Sequence, residues 1–265
     1  MGSADNPGSP RVMHAGVSPE EWHVRCDLAA CYQLADLYGM SGTIGTHISA
    51  RVPGPDDHFL LNPLGTFFDE ITASSLIKVD VDGNMVSGSR EQMNPAGFVI
   101  HSAIHMARPD LICVMHTHTT ANNGVAMLKD GLLPLTQNAL MLRDFLAYHD
   151  YEGAALFLDE RERIVQDLGP DGRCMILRNH GALTVGRSVG EAFSWMYMLE
   201  TACRQQVAGL AGNRELCWLS LETVDLVAAQ GRATLGSGGW AECGKQDWPG
   251  LVRKLERDRG PSYRS

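Results

Sequence analysis

The stretch Gly97 to Thr119, GFVIHSAIHMARPDLICVMHTHT, decides how this chain is read. Its first half, GFVIHSAIHMA, carries apolar residues at helical spacing. Pro109 forces the helix to end, because the ring disfavours helical geometry in the residue before it. LICVMH then reads as a short, buried strand. A helix followed directly by a buried strand marks an α/β fold. The strand ends on His116 and His118. Residues two apart in a strand share a face, so these imidazoles project side by side where the apolar run stops.

Two neutral imidazoles so placed can share one transition metal, and a third ligand has to come from elsewhere. His180 is the candidate. It follows a second apolar strand, CMIL, and precedes Gly181 at a tight turn. A His-x-His pair is short, and imidazoles also serve as buried hydrogen-bonding groups. The metal reading gains from the placement of all three histidines just beyond apolar strands, where α/β sites collect.

Outward from this centre, Ser18, Pro19 and Glu21 read as an N-cap, a first-turn proline and a capping-box glutamate, opening a helix that stops at Gly39. Extended runs follow at THISARV, HFLLNP and LIKVDVDGNMV, the last with an Asp82-Gly83 turn. NALMLRDFLAYHDY fits helix and strand equally. DERERIVQDLG is helical to Gly169, and Ser188 with Glu191 forms a second capping box before a helix reaching about Ala211. From Leu216 the pattern weakens; GSGGW reads as a connection and WPGLVRKLERDRG as a short helix. The expected organisation is a disordered leader over 1–17, one domain over 18–212, and a C-terminal extension over 213–265 that packs on the domain or a neighbouring subunit.

The 265 residues are 44% hydrophobic and 20% charged, an ordinary globular composition. A formal net charge of −9 opposes nucleic-acid binding, which calls for a basic face. No apolar run approaches a membrane span, and the polar, Pro/Gly-rich start has no signal-peptide core. Asn6 breaks the myristoylation pattern that MGSADN otherwise suggests. Seven scattered cysteines, several inside apolar runs, read as reduced core thiols in a cytoplasmic protein.

Three segments, GFVIHSAIHMARPDLICVMHTHT, LAYHDYEG and LRNHGALTVGRSVGEAF, together resemble the class II aldolase/adducin family. ITASSLIKVD and the run around LLNPLG are similar to its adducin head-domain branch. The likeness spans about Glu20 to Gly212, with motifs in family order. It implies a three-layer α/β/α sandwich around a mixed, largely antiparallel sheet, and a homotetramer with active sites between subunits. It also implies a divalent metal, zinc first with manganese, iron or cobalt as alternatives, on His116, His118 and His180. The implied partner is a small-molecule substrate.

The chain departs from the family at one place. Aldolases of the family carry Ser-Ser-Glu before the helix histidine that matches His101; the glutamate moves the proton and the serines help hold a phosphate. Here the three positions read Pro95, Ala96 and Gly97, and Gly97 keeps the family interval of 19 residues before His116. Glycine takes no proton, and proline and alanine offer no side-chain hydrogen bond. An ordinary sugar-phosphate aldolase is therefore disfavoured, and Gly97 leaves room for a bulkier substrate. Of the remaining loops, Thr43 and Gly45 match a Gly-Thr loop, with His47 or Thr46 where asparagine is usual. Asn62 and Gly65 match a second, closing loop. Either loop could bind carboxylate or hydroxyl groups, or its small residues could simply make turns.

Replacement acid/base groups are sought in His101, one turn beyond Gly97, more weakly in His105 a further turn along, and in Tyr148, His149 and Tyr151, a region that in the family reaches a neighbouring active site. Asp150 is read as orienting His149, and His101 has a competing reading as a structural hydrogen-bonding group. The expected function is a metal-dependent lyase, retro-aldol or decarboxylating, on a non-phosphorylated carbonyl, hydroxy-acid or aromatic acid. A non-catalytic adducin-like assembly module and a metal-assisted epimerase or dehydratase are the alternatives.

Overall fold

A computed structural model describes residues 16–54, 57–88, 92–154 and 157–265. Most of the leader lies outside these residues. Eight strands form one sheet: β1 (His47–Arg51), β2 (His58–Leu61), β3 (Ile77–Asp80), β4 (Met85–Ser87), β5 (Cys113–Thr117), β6 (Leu146–His149), β7 (Cys174–Leu177) and β8 (Gly181–Gly186). Their order is β4-β3-β2-β1-β5-β8-β7-β6. Every pairing is antiparallel except β6 with β7.

Period-two alternation sorts the side chains into two layers. Val114 of β5, Met175 and Leu177 of β7, and Leu183 and Val185 of β8 pack with Ile100 and Ile104 of α2 (Pro95–Ala107) and Ile164 and Leu168 of α5 (Glu160–Leu168). Their strand neighbours Cys113, Met115, Cys174, Ile176 and Ala182 turn to the opposite core. There they meet α1 (Pro19–Leu37), α3 (Thr120–Ala126), α4 (Gln137–Leu142) and α6 (Val189–Ala211). The result is the α/β/α arrangement around a mixed sheet that the sequence implies.

Strand β1 obeys the same rule with consequences for the site. Ile48 and Ala50 enter the α1–α6 core, so His47, Ser49 and Arg51 face α2. Those three polar residues lie beneath a helix that carries His101 and His105.

Both proposed capping boxes form only by half. Ser18 and Ser188 accept from the Glu21 and Glu191 N–H groups at 3.1 and 3.0 Å. Glu21 instead binds Arg25 and Lys78, each at 2.8 Å, and Glu191 turns to the Arg187 N–H at 2.8 Å. The ambiguous NALMLRDFLAYHDY resolves into α4, a 3₁₀ turn over Arg143–Phe145, and β6. Past Leu216 the chain forms α7 (Leu221–Leu235), which the weak pattern did not reveal, and α8 (Asp247–Arg259). Helix α7 packs on α4 where Gly231 meets the Met141 backbone; a β-carbon there would stand 2.4 Å from the Met141 carbonyl oxygen. Among the described residues no helix is long and apolar enough to cross a membrane.

Candidate metal centre

His116 occupies the penultimate position of β5, across from His47 of β1 on one side and Leu183 of β8 on the other. Its Nδ1–H donates to the Ala182 carbonyl at 2.9 Å, which leaves Nε2 as a free lone pair. His118 lies just past the strand end, and its Nε2 stands 2.7 Å from that of His116. The end of the strand is fixed from α6. Thr119 caps α3 through the Asn122 N–H at 3.0 Å and donates to the buried Glu200 carboxylate at 2.5 Å.

His180 arrives from the β7–β8 turn. Asn179 adopts a left-handed φ of 57°, a geometry asparagine tolerates better than most residues. Its N–H donates to the Ala126 carbonyl at 3.1 Å, and the His180 N–H to the Leu177 carbonyl at 3.0 Å. Gly181 is required next, since a β-carbon would stand 2.5 Å from the Thr117 carbonyl oxygen and 2.8 Å from the His118 ring. One ligand atom from each of His116, His118 and His180 then lies within 4.8 Å of the others.

The chemistry of this set fits a divalent transition metal. Burial, followed by repulsion among the neighbouring imidazoles, drives His116 well below the ordinary histidine range. Burial lowers His118 as well, and burial with His118 and His149 brings His180 to about 4. All three are neutral near pH 7, the form that ligates metal. Two imidazole nitrogens at 2.7 Å need either a proton between them or a cation before them.

Next to this triad the structure brings together residues that sequence reasoning had only partly linked. His47 Nδ1 is 2.7 Å from His101 Nε2. His101 Nδ1 bonds the Ser49 hydroxyl, which lies 2.7 Å from His105 Nε2. Burial drives His47 and His101 well below the ordinary histidine range and His105 to about 3, so the chain of rings is neutral. Gly97 lies under the His47 ring: a β-carbon there would stand 2.9 Å from Cδ2 and 3.1 Å from Nε2. The space of a residue-97 side chain is therefore filled by an imidazole from β1. His105, the weaker acid/base candidate one turn beyond His101, joins the chain through Ser49, the member the sequence did not single out; the period-two pattern of HISAR is the signal that placed Ser49 on this face.

The start of α2 is capped from within the chain. Asn94 Oδ1 accepts from the Ala96 and Gly97 N–H groups at 3.1 and 3.4 Å, satisfying donors that a helix N-terminus otherwise offers to a phosphate.

The other candidates divide. The loop bearing exposed Thr43 reaches the triad at Gly45, where a β-carbon would lie 4.0 Å from His118 Nδ1. Asn62 is buried and held by Tyr32, whose hydroxyl donates to Oδ1 at 2.8 Å and accepts from the Asn62 N–H at 3.2 Å. Its role here is to tie β2 to α1. Gly65 sits in an exposed turn with φ of 89°. Tyr148 is committed elsewhere: its hydroxyl accepts from the Leu132 N–H at 3.0 Å and Arg178 lies over its ring. Tyr151 is 56% exposed, with its ring centroid 6.4 Å from that of His180.

His149 is buried between acids of α5, its Nδ1 2.7 Å from Asp167 and its Nε2 3.4 Å from Glu160. Asp150, expected to orient it, is exposed and pairs with Arg178 at 3.4 Å. Asp167 does the orienting, one strand-to-helix crossing away. A narrow crevice lined by His149, Tyr151, Glu160 and His180 connects this group to the triad.

Comparison with known proteins agrees with this geometry. Residues 26–207 match the family described as Class II Aldolase and Adducin N-terminal domain. A Caulobacter vibrioides protein named "Putative aldolase class 2 protein" is 51% identical over 248 residues, covering 93% of this chain and 94% of its own. Alpha-adducin of Mus musculus is 43% identical over 88% of this chain, which spans 33% of that protein. The crystal structure of an aldolase II superfamily protein from Pseudomonas syringae superposes with a TM-score of 0.85 at 49% identity, covering 94% of this chain and 98% of that one. With its fold, its three convergent imidazoles and these likenesses in agreement, the chain belongs to the class II aldolase and adducin family.

Proposed function

We propose that this protein is a divalent-metal-dependent carbon–carbon lyase acting on a non-phosphorylated carbonyl, hydroxy-acid or aromatic acid substrate, by retro-aldol cleavage or decarboxylation. In this reading it works in the cytoplasm as a homotetramer with sites between subunits. The observation that carries it is the set of three neutral imidazoles, with ligand atoms within 4.8 Å, beside a helix start that holds glycine in place of a base. A bound cation, zinc first, supplies Lewis acidity toward a carbonyl or carboxylate oxygen.

The chain's own groups define the rest. Asn94 occupies the N–H donors that a phosphate would need, and Pro95 and Ala96 add none. Gly97 removes the carboxylate that takes a C–H proton in the family's aldolases. Decarboxylation needs no such base, because carbon dioxide leaves with no C–H bond broken. In this reading Tyr151, exposed beside His180, is the phenol that returns a proton to the carbanion.

The test is elemental analysis of protein purified without chelator, followed by a screen of carbonyl and aromatic acids for released aldehyde or carbon dioxide. Stoichiometric metal and turnover abolished by His116→Ala support the reading. Metal-free protein counts against it. The likeness to alpha-adducin supports a second reading, a non-catalytic assembly module, which zinc-dependent turnover would exclude.

A further inference from the structure

The chain His47–His101–Ser49–His105 has a direction that can be worked out from its inner end. His105 Nδ1 is buried, and among the described residues it has no hydrogen-bond partner. Arg51 crowds that end: its guanidinium donates to the His105 carbonyl oxygen, and its Nε is also buried without a partner. A proton on His105 Nδ1 would be an orphaned donor beside a cation, whereas a bare lone pair there faces favourable positive charge. The neutral ring therefore carries its proton on Nε2.

Each later link is then determined, because every group in the chain has one proton to give. His105 Nε2–H donates to Ser49 Oγ, and the Ser49 hydroxyl donates to His101 Nδ1. His101 Nε2–H donates to His47 Nδ1. His47 is left with its proton on Nε2, the atom that stands 3.1 Å from where a Gly97 β-carbon would be. Among the described residues no hydrogen bond to another side chain is made at that atom, and the ring also lies near the His47 carbonyl. His116 flanks the ring, with centroids 5.0 Å apart.

We propose that His47 is a further catalytic residue, a neutral imidazole whose Nε2–H donates to the oxyanion that develops on the substrate, delivered from β1 into the space that Gly97 leaves open. The proposal rests on the lyase reading above and assigns to His47 a donor's role, opposite in kind to the carboxylate base it replaces in space. His101, Ser49 and His105 are positioning residues: they fix the tautomer and hold the ring against rotation. An oriented donor of this sort needs no reorganisation when charge appears, which is why such groups contribute strongly to rate.

The experiment uses the full chain, zinc-loaded and labelled with ¹⁵N-histidine, and oxalate as a planar mimic of an enediolate. The His47 ring signals are those lost in His47→Gln. Long-range ¹H–¹⁵N spectra should show His47 protonated at Nε2 and bare at Nδ1, with Ser49→Ala abolishing this fixed tautomer. Oxalate should shift that Nε2–H. Its affinity should fall by about tenfold or more in His47→Leu, and recover to within about threefold of wild type in His47→Gln, which restores an N–H near the same point. A proton on Nδ1, oxalate that fails to bind or to shift this proton, or unchanged affinity in His47→Leu would each overturn the proposal. Failure of the chain to take up zinc would instead overturn the lyase reading, while the tautomer remains readable in the same spectra and decides the relay separately.

Discussion

The His47 ring lies 2.9 Å from the point where a β-carbon on Gly97 would stand, so β1 and the first turn of α2 compete for one volume. His47 is buried and bonded to His101 and has no room to retreat. Gly97→Ala should destabilise the protein by about 1–3 kcal/mol through overpacking. His47→Ala in the same chain should relieve that strain, making the two changes non-additive in urea denaturation. A Gly97→Ala variant as stable as wild type would show that the ring moves freely.

Removal of a metal ligand should be separable from disturbance of the ring relay. His116→Ala and His180→Ala should weaken zinc binding by more than the 10–100-fold typical of a supporting residue, read by competition with a chromogenic chelator. His101→Gln should keep zinc, because His101 bonds His47 and Ser49 and contributes no ligand atom to the triad. Saturating zinc should raise the wild-type melting temperature, with about 3–4 kcal/mol expected at 100–1,000 times the dissociation constant.

Stability should fall with acid in a way that His105 helps to set. Its folded value is about 3, through burial and then the Arg51 charge, against about 6.5 in the unfolded chain. Between those values the unfolded chain binds the proton and the folded one does not, so stability is lost as pH falls below 6.5. By pH 5 the loss reaches about 2 kcal/mol for this one ring. His105→Gln should flatten the pH dependence between 6.5 and 5 in denaturant midpoints measured at equal ionic strength. An unchanged slope would mean that other groups dominate.

Asn179 holds φ at 57° immediately before His180. Asn179→Val should cost about 1–2 kcal/mol, whereas Asn179→Gly should be close to neutral. Melting temperatures check the backbone effect. Zinc affinity measured alongside shows how far the turn, apart from the ring itself, places the ligand.

The residues that made the fold legible are those whose partners are set by local period. The Gly97–Thr119 segment announces a helix, a stop and a strand, and the two-residue step from His116 to His118 announces a shared face. His180 was legible because its strand and turn repeat the same grammar. The relay was not, because Ser49 meets His105 only through the β1–β5 register and the seat of α2 above it. Asp167 was missed for a similar reason: Asp150 is next to His149 in sequence, but α5 brings Asp167 to the ring. Helix α7 escaped notice because its buried stripe, Val224, Ala228, Gly231 and Leu235, has only small residues at its middle, where Gly231 meets the Met141 backbone.

Gly181 and the Asn179 turn start β8 within van der Waals reach of His118, so the ligand set spans the seam between β5 and β8. Slipping that seam by one residue would swap the faces of β8 and carry His180 away from its partners. On the proposed metal reading, cation retention would report correct strand registration: a collapsed but mispaired chain would lack the convergent imidazoles that hold the ion. If the protein binds zinc as proposed, metal content would then score its folding during expression before any substrate is in hand.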